Sequence, residues 1–222
     1  MKKKKEDCLI EFFSEEIPAG MQKSVENQIG NLFKNELSIR KLSYNKVTLY
    51  STPRRFAIKI NDLDVNQEDQ SLEIKGPNIN AQEIAIKGFL KAQNVPKEKV
   101  YIKETNKGNF YFIKKFEIGK SIYILLPKII DDVVKKINWP KSQRWANFEL
   151  KWGRPLRNIL VLVGSKKIKG SISLSKDESL IFNNCTFSHR FFNKKIIVQN
   201  TNEYKSILKK YGVFVDRGER KE

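Results

Sequence analysis

The stretch SIYILLPKIIDDVVKKINWPKSQRWANFELKWGRPLRNILVLV, residues 121–163, contains a helix signal, a tryptophan-rich segment and a strand signal in direct succession. Apolar residues recur with a period of about 3.6 from Ile122 to Ile137, which predicts an amphipathic helix. Because Pro127 lies inside this pattern, we expect the helix proper to begin near Pro127. The apolar run Ile159–Val163 predicts a buried strand. This order lacks the regular βαβ spacing and the Gly-rich loop of a nucleotide-binding fold, so it indicates the α+β class.

The rest of the chain alternates short strand and helix signals. Apolar residues at helical spacing predict amphipathic helices over residues 21–37 and 81–93, and a shorter helix over 202–210. The polar turn 105–108 lies between two β-rich runs and predicts a hairpin. We therefore expect mixed β-sheets packed against amphipathic helices.

The predicted elements suggest two α+β lobes that meet near Gly119. Residues 1–7 are expected to form a disordered basic tail, residues 8–118 the N-terminal lobe, and residues 119–222 the second lobe. The chain stops in RGERKE without a cap or a packing signal. The second lobe is therefore expected to be truncated at its C-terminal end.

The charge balance favours a polyanionic partner. The formal charge is +18, from 43 lysines and arginines against 25 aspartates and glutamates. Of the 43 cations 34 are lysines, and a lysine-rich composition is also what an AT-rich coding sequence gives to any protein. Arginine is the more informative cation here, and six of the nine arginines fall in three short regions, at 54–55, 144–157 and 190.

Several classes of protein and site are disfavoured. The chain contains no run of 18 apolar residues, so no membrane span is predicted, and its start lacks the apolar core of a signal peptide. Cys8 and Cys185 are isolated and His189 is the sole histidine, so a zinc site of the usual kind cannot be assembled. We expect a cytoplasmic protein.

The segment Trp139–Leu160 supports two interpretations. It holds all three tryptophans together with Lys141, Arg144, Arg154 and Arg157. Aromatic faces interleaved with guanidinium groups suit a surface that contacts nucleic acid. Alternatively, the tryptophans belong to the core and the cations form its solvated rim.

Two further motifs are candidate sites, each with a structural alternative. Arg54 and Arg55 lie at the entry of a predicted strand, where neighbouring side chains point to opposite faces. One of them can therefore reach RNA while the other forms an internal ion pair. His189 is a candidate general base, but the sequence supplies neither an oriented nucleophile nor a carboxylate partner. A structural histidine, with Arg190 on a phosphate, is the preferred interpretation.

Eight motifs occur in an order that resembles a known family. They are Glu15-Glu16-Ile17-Pro18, Thr52-Pro53-Arg54-Arg55, Lys75-Gly76-Pro77, Trp139-Pro140-Lys141-Ser142, Arg144-Trp145, Arg154-Pro155, Ser188-His189-Arg190-Phe191 and Glu219-Arg220-Lys221-Glu222. Together they resemble the N-terminal part of the β subunit of bacterial glycyl-tRNA synthetase, the heterotetrameric α2β2 type. That β subunit is about three times longer, so the resemblance implies an N-terminal fragment.

The resemblance implies a supporting part in aminoacylation. In this family the α subunit uses ATP, with Mg, to activate glycine, and the β subunit contacts tRNA(Gly) and the α subunit within an α2β2 tetramer that contains a second β subunit. The implied contact residues are Arg54, Arg55, Lys141, Arg144, Arg154, Arg157, His189 and Arg190. No cofactor is expected on this chain itself, in agreement with its lack of a phosphate-binding loop motif.

Two rival functions remain open. The first is a free-standing RNA-binding protein without sequence preference. The second is an editing-type hydrolase of mischarged tRNA, which the lone histidine and the lack of zinc-ligand spacing disfavour.

Overall fold

The structure, a computed structural model, describes residues 4–220 and confirms the α+β class. Its strands are β1 (Lys5–Ser14), β2 (Lys46–Thr52), β3 (Arg55–Asp64), β4 (Gln70–Asn78), β5 (Val100–Thr105), β6 (Gly108–Glu117), β7 (Leu156–Val163), β8 (Lys166–Lys167), β9 (Ser171–Ser173), β10 (Ser179–Asn183), β11 (Cys185–Phe187) and β12 (Lys195–Ile197). Its α-helices are α1 (Ala19–Ile39), α2 (Glu83–Gln93), α3 (Ile122–Lys136) and α4 (Tyr204–Lys210). No described helix combines the length and the apolar character that crossing a membrane requires.

The chain forms two compact units whose boundaries differ from the predicted lobes. Unit 1 contains the described residues 4–67 and 120–220, and unit 2 is the insertion Glu68–Gly119. The segment 8–67 belongs with the C-terminal half because β1 hydrogen bonds to β7 across a sequence separation that local patterns cannot reveal. β1 begins at Lys5, so residues 5–7 form part of a strand rather than of a disordered tail. Residues 1–3 lie outside the described part.

Unit 1 is built on a seven-stranded sheet with β1 near its centre. The strand order is β2-β3-β1-β7-β10-β9, and β8 adds to β7. Neighbouring strands are antiparallel except for the parallel pair of β7 and β10. The segment Cys8–Phe13 is buried on both faces of the sheet, which explains its nearly continuous apolar sequence.

Helices α1 and α3 cover one face of this sheet. The apolar residues predicted at helical spacing in both helices are buried there. Ser121 caps α3 by accepting a hydrogen bond from the Tyr123 amide, so the helix begins at Ile122 and includes Pro127. The expected start of α3 near Pro127 is wrong. Burial of Ile122 and Leu126 stabilises the first turns of the helix, and this offsets the loss of the one backbone hydrogen bond that proline cannot donate.

A buried carboxylate joins the two helices. Glu36 of α1 accepts hydrogen bonds from Lys136 Nζ of α3 at 2.6 Å and from Arg40. Arg40 also lies 3.2 Å from Oδ2 of Asp132 in α3. Burial raises the pKa of Glu36, but the hydrogen bonds from Lys136 and Arg40 outweigh it and lower the pKa below its usual value. The carboxylate therefore stays charged and holds α1 to α3.

The tryptophans complete the core on this face. Trp139 and Trp152 are buried, with ring centres 4.8 Å apart, and Phe12 and Phe56 pack against them. Trp145 is half-buried against Phe148. The interpretation of Trp139 and Trp152 as core residues is therefore confirmed.

A second, smaller core lies on the opposite face of the sheet. Its members are Leu9, Ala57, Leu160, Leu162, Ile196, Val198, Tyr204, Leu208, Val213 and Val215. They come from the sheet, from β12, from α4 and from the segment after α4. This core attaches the C-terminal part of the chain to the sheet.

A fully buried glutamate lies within the second core. Glu11 Oε1 accepts a hydrogen bond from Thr186 Oγ1 at 2.6 Å, and Oε2 accepts one from the Tyr204 hydroxyl. Nε of Arg55 lies 3.3 Å from Oε2 of Glu11, and Nη2 of Arg55 donates to the Phe187 carbonyl at 2.7 Å. We call these contacts the Glu11 network. It links β1 to β3, to β11 and to α4.

Unit 2 is a three-stranded antiparallel sheet of order β4-β6-β5 with helix α2. The predicted hairpin is confirmed as β5 and β6, where Gly108 has a φ of 104° that favours glycine. Phe112 and Ile113 of β6 are buried, and the Phe89 ring of α2 lies over Gly76 of β4.

Packing of Trp139 on Gly153 gives a first prediction. A Cβ at position 153 would lie 2.4 Å from the Trp139 ring. Gly153→Ala should therefore lower the free energy of unfolding by about 1–3 kcal/mol, because the buried ring must shift. Gly20→Ala in α1 is the control: a Cβ there meets no atom within 4 Å, so the change should be neutral or slightly stabilising. Urea unfolding measures both variants, and equal effects would contradict the prediction.

The Glu11 network gives a second prediction. Tyr204→Phe removes a buried hydrogen bond to a carboxylate and should lower the free energy of unfolding at pH 7 by about 1.5–3 kcal/mol. Burial, with the Glu11 charge, raises the pKa of Tyr204 well above its usual 10. The difference in free energy of unfolding between wild type and Tyr204→Phe should therefore shrink as the pH rises above 10. Above that pH the tyrosine ionises in the unfolded chain but not in the folded protein.

The control for this measurement is Tyr50→Phe. Tyr50 packs against the same core, and its hydroxyl makes no hydrogen bond within residues 4–220. This substitution should change stability by less than about 0.5 kcal/mol at pH 7. A Tyr204→Phe variant as stable as Tyr50→Phe would show that the network does not stabilise the fold.

Candidate nucleic-acid interface

The turn between β2 and β3 places two adjacent arginines in different surroundings. The guanidinium of Arg54 is half-buried, 4.8 Å from the ring centre of Phe13, and its Nη2 lies 3.4 Å from Oε2 of Glu15. Arg55 is buried in the Glu11 network. Arg54 lies in the turn itself, whereas Arg55 is the first residue of β3. The structure places Arg54 at the surface and Arg55 inside.

The loop between β11 and β12 carries His189 and Arg190. Its ends are fixed, because the His189 amide donates to the Tyr211 carbonyl at 3.0 Å and the Lys194 amide donates to Ser188 Oγ at 2.8 Å. Arg190 at its tip is exposed, and its Nη1 lies 3.5 Å from Oε1 of Glu16. The loop is therefore an anchored segment that presents Arg190 to solvent.

Two adjoining cavities lie between this loop and the β2–β3 turn. Their volumes are about 290 Å³ and about 350 Å³, and both are lined by Phe13, Arg54, Ser188 and Arg190. The first also contacts His189 and Arg220, and the second contacts Arg157 and Lys194. We call the two cavities together the arginine groove.

Carboxylates from the segment after β1 hold the groove arginines. Glu15 Oε1 lies 2.9 Å from Nε of Arg157, and its Oε2 contacts Arg54. Glu16 contacts Arg190. These ion pairs are largely exposed, and such pairs contribute little net free energy. Phosphate oxygens can therefore replace the carboxylates at modest cost.

Five predicted site residues line the groove and three do not. Arg54, Arg55, Arg157, His189 and Arg190 line one or both cavities. Lys141, Arg144 and Arg154 line neither cavity. The first two are exposed in the segment between α3 and β7, and Nη1 of Arg154 donates to the Gly153 carbonyl at 2.8 Å.

The sequence reasoning missed several groove residues. Lys194 and Arg220 line the cavities, and Arg220 Nη1 is oriented by the carbonyls of Phe214 and Val215, at 2.6 and 3.0 Å. Phe191 lines neither cavity, but it lies beside Arg190 and is 85% exposed. The sequence does contain a signal for an exposed aromatic residue here. The two adjacent phenylalanines in His189-Arg190-Phe191-Phe192 lie in a polar context that has neither strand nor helix periodicity.

The surroundings of His189 do not assemble a catalytic group. Its Nδ1 accepts from the Phe191 amide at 3.4 Å, and its ring lies 4.8 Å from that of Phe191. The neighbouring Ser188 hydroxyl donates to the His189 carbonyl at 3.0 Å, so it is not aligned with the imidazole.

Burial raises the pKa of the Cys8 thiol, which keeps it protonated and unreactive. Residues 4–220 contain no group of three or more histidine, cysteine or acidic side chains placed to hold a metal ion.

Comparisons with known proteins confirm the family that the motifs indicate. A family model described as Glycyl-tRNA synthetase beta subunit matches residues 8–222. The chain is 38% identical over 217 residues to the glycine–tRNA ligase beta subunit of Rickettsia canadensis (strain McKiel), which covers 97% of this chain and 32% of that protein. It is 36% identical over 219 residues to the corresponding subunit of Rickettsia felis, with the same coverage of both chains.

The relatives that match are longer than this chain. The chain spans about a third of the curated relatives that it matches, 32% in each of the two named. The match nevertheless includes every motif identified in the sequence, from Glu15 to the last residue. The chain belongs to the glycyl-tRNA synthetase β-subunit family.

Proposed function

We propose that this chain is a non-catalytic part of a glycine–tRNA ligase β subunit, and that it contacts tRNA(Gly) through the arginine groove. In this proposal a glycyl-tRNA synthetase α subunit, using ATP and Mg, carries out the chemistry in the cytoplasm. The assembly is an α2β2 tetramer with a second β subunit. The observation that carries the proposal is the convergence of Arg54, Arg157, Arg190 and Arg220 on one groove.

The chemistry of the groove suits phosphate. Guanidinium groups donate two parallel hydrogen bonds to phosphate oxygens, which a lysine ammonium cannot do. Lys194 adds a further cation to the second cavity. The groove is therefore rich in arginine, whose planar group must be oriented to bind phosphate, although most of the 43 cations of the chain are lysines. A phosphodiester backbone presents many such acceptors in a row.

The surrounding lysines fit the same partner. The formal charge of +18 produces a positive field that attracts a polyanion over roughly a Debye length, about 8–10 Å at physiological salt. The field brings RNA to the surface without selecting an orientation. The arginine groove then supplies the local contacts that fix the register.

The division of labour between subunits is directly testable. The tagged chain, co-expressed with the α subunit, should co-purify with it, and glycine-dependent pyrophosphate exchange should require the α subunit. The chain alone should show no exchange above a no-enzyme control. RNA binding without α-subunit capture would favour the free-standing RNA-binding protein. Deacylation of a mischarged tRNA by the chain alone would favour the editing hydrolase.

The location of the RNA contact gives a fourth prediction. Arg190→Ala and Arg157→Ala should each weaken tRNA binding several-fold and reduce the slope of log K against log salt by about one unit per lost phosphate contact. Fluorescence titration of tRNA at several salt concentrations measures both quantities. Both residues are exposed and pair with exposed carboxylates, so thermal unfolding should stay close to wild type.

The matched control is Arg144→Ala, with Lys176→Ala as a second one. Arg144 is exposed, carries the same charge and lies outside the groove. Both controls should leave the salt slope near the wild-type value. A slope lowered by Arg144→Ala but not by Arg190→Ala would move the RNA contact to the segment between α3 and β7.

A further inference from the structure

We propose that an unpaired nucleotide of the RNA binds at the edge of the arginine groove, with its base stacked on Phe191 and its phosphate on Arg190. The inference rests on the proposed function and adds to it the kind of RNA that the groove accepts. Its starting point is an aromatic side chain that the fold leaves in water beside a cationic cavity.

Phe191 occupies an unusual position for a phenylalanine. It is 85% exposed, and the neighbouring Phe192 is 50% exposed. One side of the Phe191 ring faces His189, at 4.8 Å between ring centres, while most of its surface remains open to solvent. Burying an open aromatic surface on a partner is favourable, so this ring is available as a stacking platform.

The loop holds this platform in place. Two backbone hydrogen bonds within it, from Phe192 and Asn193 to the His189 carbonyl, close a tight turn. Asn193 has a φ of 44°, in the left-handed region that asparagine tolerates better than most residues. The Phe192 ring packs against Tyr211, and its edge lies over Gly212. The backbone that carries Phe191 is therefore ordered before a partner stacks on the ring, which lowers the entropy cost of binding.

One cation lies beside the platform, and others line the adjoining cavity. The guanidinium of Arg190 lies 5.9 Å from the centre of the Phe191 ring. Arg54, Arg190 and Arg220 line the adjoining cavity of about 290 Å³, together with the rings of Phe13 and Phe214. Aromatic rings alternating with guanidinium groups match the alternation of base and phosphate in a nucleic-acid strand.

The geometry favours an unpaired nucleotide over a duplex. A cavity of about 290 Å³ is near the lower end of the range for small-molecule sites, roughly 300–1,000 Å³, and is too small for an RNA helix. Bases within a duplex are already stacked on their neighbours and offer no free face to a side chain. Only a strand end, a loop or a bulge can place a base on Phe191.

The experiment compares single-stranded and paired RNA. A short oligoribonucleotide containing 2-aminopurine is titrated with the chain, beside a blunt duplex of the same length. The single strand should bind at least tenfold more tightly, with 2-aminopurine fluorescence quenched by stacking. Phe191→Ala should weaken single-strand binding about tenfold and abolish the quenching, with the salt slope unchanged because no phosphate contact is lost. Phe191→Tyr, which keeps the ring, should restore both.

Phe116→Ala is the matched control. Phe116 is 73% exposed in unit 2, so the change removes a comparably exposed phenylalanine that does not lie beside Arg190. It should leave single-strand binding and quenching at the wild-type level. Equal losses in Phe116→Ala and Phe191→Ala would overturn the inference.

The remaining outcomes separate this inference from the proposed function. If tRNA binds and Arg190→Ala lowers the salt slope, but Phe191→Ala binds the single strand like wild type, only the unpaired-nucleotide site is wrong. If Phe191→Ala loses the α subunit on co-purification while RNA affinity is unchanged, the platform contacts protein and the inference is overturned. If tRNA, single strand and duplex all fail to bind, both proposals fail.

Discussion

The buried charge of Glu11 is the constraint on which the second face of the sheet depends. A carboxylate without water is costly unless cationic and hydrogen-bonding partners surround it. Its partners Arg55, Thr186 and Tyr204 come from β3, β11 and α4, three elements far apart in sequence. The carboxylate keeps all of these partners only when the three elements lie on the sheet in one arrangement, which disfavours other ways of packing the same apolar surface.

The same network reaches the arginine groove through the backbone. Arg55 donates to the carbonyl of Phe187, the residue immediately before the loop that carries His189 and Arg190. The start of the loop is also held by the segment after α4, because the His189 amide donates a hydrogen bond to the Tyr211 carbonyl. Both adjacent arginines line the first cavity, but only the buried Arg55 also fixes the start of the loop.

The sequence predicted local elements well because their signals are local. The apolar spacing in α1, α2 and α3, the β5–β6 hairpin and the strand β7 follow from periodicity and turn chemistry within a few residues. The division into units was not predictable in this way. It depends on the pairing of β1 with β7, whose partners, such as Phe12 and Ile159, lie far apart in the chain.

The sequence predicted which residue types line the candidate groove, but not where the fold places each of them. Arginine against a lysine background pointed to Arg54, Arg157 and Arg190, which the fold brings together. The aromatic and cationic pattern of the segment between α3 and β7 pointed to Lys141 and Arg144, which lie outside the arginine groove, where Trp139 and Trp152 are buried. A pattern of aromatic and cationic residues does not reveal which side of the aromatic ring meets water. Gly153, which lets the Trp139 ring pack closely, indicates burial only once the contact is known.

The pairing of the groove arginines with Glu15 and Glu16 bears on selectivity in a chain of charge +18. An unpaired cluster of arginines in such a chain would hold any polyanion, because non-specific affinity grows with each phosphate that the protein neutralises. The exposed carboxylates compete with phosphate for Arg54, Arg157 and Arg190, which reduces the gain from purely electrostatic binding. In the proposed complex, stacking on Phe191 is not subject to that competition, since a carboxylate cannot occupy an aromatic face. A partner that supplies both a phosphate and an unpaired base therefore gains over one that supplies phosphate alone.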